Sequence, residues 1–129
     1  MIYIVLNLVP ILAATAAGLL IGIIWLRLSP TLLPGVQTLI LAGIAEFWLA
    51  SILAGALILA PPEAGVWAMA LGSAFVIWIG FVLPVLAVTF HVYRMARSSM
   101  ISAAAHWLVV MLAQAGIMQA IGLVAPPGA

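Results

Sequence analysis

The chain of 129 residues contains no cysteine, no lysine and no aspartate. Without cysteine it has no disulfides, no thiolate chemistry and no cysteine-ligated metal. Three arginines against two glutamates leave a formal charge of +1. This charge cannot neutralise a run of phosphates, which excludes nucleic acid as a partner.

Charged residues are also scarce, at 4% of the chain, whereas a soluble domain carries roughly a quarter. Hydrophobic residues make up 69%, and the mean hydropathy is +1.48. Water could not wet such a surface, so the composition predicts an integral membrane protein surrounded by lipids.

Four segments are long and apolar enough to cross a bilayer, which takes about 20 residues each. They cover residues 4–26, 38–60, 66–93 and 102–124. No basic residue precedes the first run, as it would in a signal peptide, so we expect that run to be a retained span. Proline and glycine mark the breaks: Ser29-Pro30, Pro34-Gly35, Pro61-Pro62 and Pro126-Pro127-Gly128, with a polar turn over 94–99. The prediction is a single all-α domain over 1–129, a four-helix transmembrane bundle running up-down-up-down with short loops.

The arginines predict the orientation of this bundle. Arg27, Arg94 and Arg97 all fall at the first and third connections, and the second connection carries only Glu63. The positive-inside rule therefore places the arginine end in the cytoplasm and both termini outside. A bacterial cytoplasmic (inner) membrane is the expected location.

Small residues at four-residue spacing predict how the helices pack. Ala14, Gly18 and Gly22 form a ridge on the first span, which should face another helix or a second subunit. Gly72 and Gly80 are expected to pack in the same way on the third span. Pro84 lies deep in that span and cannot donate to the carbonyl of Gly80, which predicts a kink.

Glu46 is the only acidic residue inside a span, about 12 Å from the start of the second one. A charge at such depth costs about 2.5–3.5 kcal/mol or more on insertion scales. It shares a helix face with alanines and Gly43, whereas Trp48 points the opposite way, so the carboxyl should face protein. We expect it to be protonated or paired, with His106 as the first candidate partner. Two interpretations stay open, a proton or cation site and a neutral interhelical tie.

The remaining polar groups of the spans are few. Gln114 lies on a stripe of the fourth span with Trp107, Met111 and Met118, and is interpreted as a helix tie. His91 and His106 could contact a haem or a pigment, but their spacing matches no metal motif. No metal and no cofactor are predicted. The chain has no serine–histidine–acid set, no phosphate-binding loop and no paired carboxylates, so no enzymatic activity is expected.

Two stretches carry a family resemblance. One covers residues 11–30, with a small-residue helix, Gly22, Trp25 and the Ser29-Pro30 stop. The other runs from Gly80-Phe81-Val82-Leu83-Pro84 through a short polar turn into a last helix over 105–122. Together they resemble a family of small four-span bacterial membrane proteins, the domain of unknown function numbered seventeen-sixty-one. The resemblance implies the four-span architecture and no catalytic residue.

Three functional hypotheses follow from these patterns. The first is a non-enzymatic accessory or structural subunit that packs through small-residue helix faces in a homo-oligomer or a larger membrane complex. The second is a small proton-coupled transporter that uses Glu46, similar in size and design to the small multidrug resistance exporters, although their carboxylate lies in the first helix. The third is a pigment- or haem-contacting subunit through His91 or His106.

Overall fold

A computed structural model describes residues 1–29 and 34–128, and the predicted helix stop at Pro30 lies outside these residues. The described chain is helical, without strands. In order, the elements are α1 (Ile2–Leu6), α2 (Leu8–Leu28), α3 (Val36–Leu59), α4 (Val66–Ile77), a π-helical turn (Trp78–Val82), α5 (Leu83–Val92) and α6 (Arg97–Ile121).

Four of these helical stretches are long and apolar enough to span a membrane, as predicted for an all-α four-helix bundle. The first, second and fourth spans are α2, α3 and α6, and the third is the continuous stretch Val66–Val92. The fourth span differs from its predicted bounds because it begins at Arg97, within the expected turn. It ends at Ile121, where Gly122 takes a φ of 98° that residues with a side chain rarely adopt.

The fourth span is the centre of the bundle, with its most extensive packing against the first and third spans. The bundle is antiparallel, since Trp25 near the end of α2 donates from Nε1 to the Ser102 hydroxyl near the start of α6, at 3.1 Å. At the other end, Asn7 bonds to Val124. Arg27, Arg94 and Arg97 therefore share one end of the bundle, called the arginine end below, and both chain termini lie at the opposite end.

The hydrophobic core fills the half of the bundle that lies toward the termini. Its fully buried members include branched, small and methionine side chains from all four spans: Ile11, Ala14, Ala50, Leu53, Ala54, Ala74, Met111, Ala115 and Met118. Alanines let the helices approach closely, and methionines adapt to the irregular gaps.

The third span packs on a different face from the predicted one. Gly72 and Gly80 are exposed, and a Cβ built on either would meet no atom within 4 Å. Ala70 and Ala74 are the buried residues instead. Small residues occur on both faces of this helix, so spacing alone did not distinguish the packed face from the free one.

The third span contains a widened, π-helical turn just before Pro84. Pro84 has no N–H, and its ring crowds the carbonyl of Gly80. The preceding residues Trp78–Val82 form a π-helical turn, which relieves this crowding by shifting the hydrogen bonds one residue along. Pro84 itself is exposed.

Candidate functional site

The carboxyl of Glu46 lies inside the protein, with the residue 3% exposed. Its partner is Gln114 of the fourth span, which is fully buried and donates from Nε2 to Glu46 Oε2 at 2.7 Å. An amide donor can bond both the ionised carboxylate and the carbonyl oxygen of the neutral acid. The pair is therefore compatible with either protonation state of Glu46.

Gly18 provides the space for this pair. A Cβ built on Gly18 would lie 2.7 Å from Cδ of Glu46 and 3.1 Å from Nε2 of Gln114. Real side chains do not approach that closely, so any residue larger than glycine must displace the pair. The Ala14–Gly18–Gly22 ridge thus faces other helices of the bundle, and at Gly18 it receives polar side chains.

His106 is not the partner of Glu46, contrary to expectation. It lies against Gly22, whose built Cβ would be 3.5 Å from His106 Nε2. Because Gly18 contacts the carboxyl, the imidazole is displaced by about one turn, roughly 6 Å, toward the arginine end. Entry of both helices from the same end was therefore not enough to bring the two side chains together, because the pairing depends on how the helices are shifted along each other.

Two indoles surround the imidazole of His106. Its ring packs edge-on against Trp25, at 5.7 Å between centroids, and against Trp107, at 5.1 Å. Its Nε2 is buried and has no hydrogen-bond partner among the described residues, and the same holds for Oε1 of Gln114. The site therefore combines one carboxyl with two polar atoms that have free hydrogen-bonding capacity.

A cavity of about 900 Å³ leads to this group from the arginine end. Its walls are the first span from Gly18 to Ser29, the second from Pro34 to Glu46, and the fourth from Ser98 to Trp107. Gly18 and Glu46 thus mark its inner limit. The walls are mostly apolar, and the two ionisable side chains among the described lining residues are Glu46 and His106.

The cavity also has a set of hydroxyl groups that were not singled out from the sequence. Ser98, Ser99 and Ser102 line it together with Thr38. The signal was present, because Ser98, Ser102 and His106 follow one another at four-residue spacing and so share a helix face. Of these three residues only Ser98 fell within the predicted turn, because the helix was expected to begin at residue 102.

The arginines and His91 are not among the described lining residues of the cavity. His91 is exposed on the third span, as are Arg27, Arg94 and Arg97 at the arginine end. Over residues 1–29 and 34–128, no group of three histidine or acidic side chains could hold a metal ion. The polar site is therefore confined to Glu46, Gln114 and His106.

Four apolar helices with polar side chains buried between them define an integral, polytopic membrane protein. Comparisons with protein-family models, curated proteins and solved structures give no match. The resemblance to the four-span family with unknown function stays a prediction.

Proposed function

We propose that this protein is a small proton-coupled transporter in which Glu46 exchanges a proton for a cationic ligand. The observation that carries the proposal is the cavity of about 900 Å³ that ends at a carboxyl inside a transmembrane bundle. Placing an ionisable residue inside a membrane costs free energy, and such residues typically lie on the path of a substrate, an ion or a proton. A pocket of this volume can enclose a small organic molecule.

The charges of the cavity favour a cation as the exchanged ligand. No arginine is among its described lining residues. When Glu46 loses its proton to water, the carboxylate attracts a positive charge, and when the ligand leaves, proton uptake restores the neutral acid. The indoles of Trp25 and Trp107 add aromatic faces that attract organic cations.

A proton-release assay tests this exchange in purified protein. Three probes share a phenyl ring and cannot titrate: benzyltrimethylammonium, benzenesulfonate and benzyl alcohol. Each is added to protein in weakly buffered detergent that contains a pH dye. We expect only the cation to release protons, at about one per bound molecule, because only it displaces the proton of Glu46.

Two glutamine variants serve as the test and its control. Glu46→Gln keeps size and hydrogen bonding but cannot ionise, so it should abolish the release. Glu63→Gln removes the other acidic side chain of the chain, in the exposed second connection, and should leave the release unchanged. Release that survives in Glu46→Gln, or no binding of the cation to the wild type, would contradict the proposal.

A second candidate function is an accessory subunit of a homo-oligomer or larger membrane complex. The exposure of the third span favours it, since 6% of its most apolar stretch is buried, against 28% in each of the other spans. A shallow groove on this side is lined by Ala68, Gly72 and Ser73. Small residues of this kind permit close approach of a further helix.

Crosslinking separates this candidate from the first. A cysteine at Gly72 should form dimers in the native membrane if the groove is an interface between copies, and a cysteine at Val85, exposed further along the same span, is the control. Equal crosslinking at both positions would contradict a specific interface. The proton-release assay does not depend on this result.

A further inference from the structure

The end of the bundle opposite the cavity is closed by the side chain of Asn7. Asn7 is 1% exposed and donates from Nδ2 to the carbonyls of Tyr3 and Val124, both at 2.8 Å. In return, the backbone N–H of Val124 donates to Asn7 Oδ1 at 2.7 Å. The two bonds to Val124 join the N-terminal segment to the chain that follows the last helix, and the bond to Tyr3 fixes the Asn7 amide within the N-terminal segment. The three bonds together are called the Asn7 clamp below.

The backbone on both sides of the Asn7 clamp departs from regular helix. Asn7 takes φ −114° and ψ 26°, which separates α1 from α2. Gly122 ends the last helix and lets the chain turn so that Val124 reaches Asn7. The clamp therefore joins two points at which regular helix is interrupted.

The short helix α1 closes the same end through Tyr3. A Cβ built on Gly55 of the second span would lie 3.1 Å from the Tyr3 hydroxyl oxygen, so the ring lies directly on this glycine. Between this layer and the site, large side chains fill the bundle, with Ile11, Leu53, Met111 and Met118 all buried. In the described part of the chain, the cavity thus extends from Glu46 toward the arginine end, and packed side chains separate Glu46 from the terminal end.

We propose that α1 and the Asn7 clamp form the gate at the terminal end of the transporter, and that the structure is the state in which this gate is closed. This inference rests on the proposed function, because a carrier must expose its site to the two sides in turn. Opening breaks the three clamp bonds and moves Tyr3 off Gly55. The alanines and methionines beneath can then repack around a wider passage.

Thiol accessibility tests the gate, because the chain has no cysteine of its own. Thr15→Cys places a reporter between Asn7 and Gly18, at a position that is 8% exposed and outside the cavity lining. Ser98→Cys, at the mouth of the cavity, is the reactive reference. A charged maleimide is applied to protein in lipid nanodiscs, where both ends are accessible.

We expect Asn7→Leu to accelerate labelling at position 15 by about tenfold or more, since it removes all three clamp bonds. Val124→Pro removes only the bond from the Val124 N–H and should give a smaller acceleration. It also keeps the test valid if Asn7→Leu fails to fold. Gln119→Leu is the matched control, because this amide lies near the same end and makes no hydrogen bond in the described part of the chain.

Labelling at position 15 that stays slow in folded Asn7→Leu or Val124→Pro protein would overturn the gate. Equal acceleration by Gln119→Leu would also overturn it, because it would show general loosening of the bundle. The maleimide reaction involves no ligand and no proton. Faster labelling without proton release would therefore support the gate and reject proton exchange at Glu46. Proton release without faster labelling would support the exchange and reject the gate.

Discussion

Single residues decide where polar groups can exist in this bundle. Gly18 has no side chain, and the space that this leaves is occupied by the Glu46–Gln114 pair. The two partners come from different spans and are both buried. The position of the pair therefore depends on a single glycine of the first span, although neither partner belongs to that span.

Gly18→Ala should lower the free energy of unfolding by roughly 1–3 kcal/mol, the usual cost of overpacking a filled site. The measurement is reversible unfolding in mixed micelles. Gly116→Ala is the matched control, since that glycine lies in the regular helix α6 and a Cβ built on it would meet no atom within 4 Å. It should be neutral or should stabilise by up to about 1 kcal/mol, because alanine is the better helix former. Equal effects of both substitutions would show that Gly18 has no special role.

A double-mutant cycle tests the tie between Glu46 and Gln114. Either single change to leucine leaves the other partner buried without its bond, at about 1–3 kcal/mol. Removing both together should cost less than the sum, with a coupling of about 0.5–3 kcal/mol. The unfolding assay in mixed micelles measures all four proteins. Strict additivity would mean that the hydrogen bond contributes nothing to the fold.

Whole helices were more predictable than their contacts. Hydropathy and the proline–glycine breaks indicated four spans, because span length follows from bilayer thickness. They did not indicate that the fourth helix begins at Arg97, since an arginine and two serines are equally compatible with a turn and with a first helical turn. Nor did they indicate that Gln114 rather than His106 pairs with Glu46, because that contact depends on how the second and fourth spans are shifted along each other.

The faces of the helices were predictable only where glycine marked a single face. On the first span both glycines lie on the Ala14–Gly18–Gly22 ridge, and this ridge faces the bundle. On the third span, Ala70 and Ala74 compete with Gly72 and Gly80. Packing against the fourth helix selects one pair, and no local property of the third span encodes that choice.

The π-helical turn before Pro84 should depend on the proline itself. Pro84→Ala restores an N–H donor and removes the crowding at Gly80, so the span should regain regular hydrogen bonds. We expect a higher midpoint of thermal unfolding in detergent. Pro10→Ala is the control, because Pro10 lies in the first turn of α2, where a proline causes little disruption. A lower midpoint for Pro84→Ala would contradict this explanation of the π-helical turn.

The whole molecule is asymmetric from end to end. The arginine end contains the cavity, and the terminal end contains the core and the Asn7 clamp. The basic residues predict which end faces the cytoplasm. The cavity at the arginine end and the orientation given by the arginines together predict that the site faces the cytoplasmic side in this state.

Cysteine labelling in intact cells tests this orientation. An impermeant thiol reagent should label Ile2→Cys and Ala125→Cys, at the terminal end, and should not label Ser98→Cys until the membrane is permeabilised. The prediction follows from the shared position of Arg27, Arg94 and Arg97. The opposite labelling pattern would place the termini in the cytoplasm and reverse the direction of the gate.

The central claim is that Glu46 exchanges its proton through the cavity. The chain has only two acidic residues, so Glu63→Gln protein grown with carboxyl-labelled ¹³C-glutamate has Glu46 as its one acidic side chain. Its ¹³C signal is followed in lipid over the pH range in which the protein stays folded. We predict that the signal titrates in this range, and that benzyltrimethylammonium at fixed pH shifts it toward the carboxylate position. A signal that responds neither to pH nor to the cation would leave Glu46 as a structural tie and contradict the account.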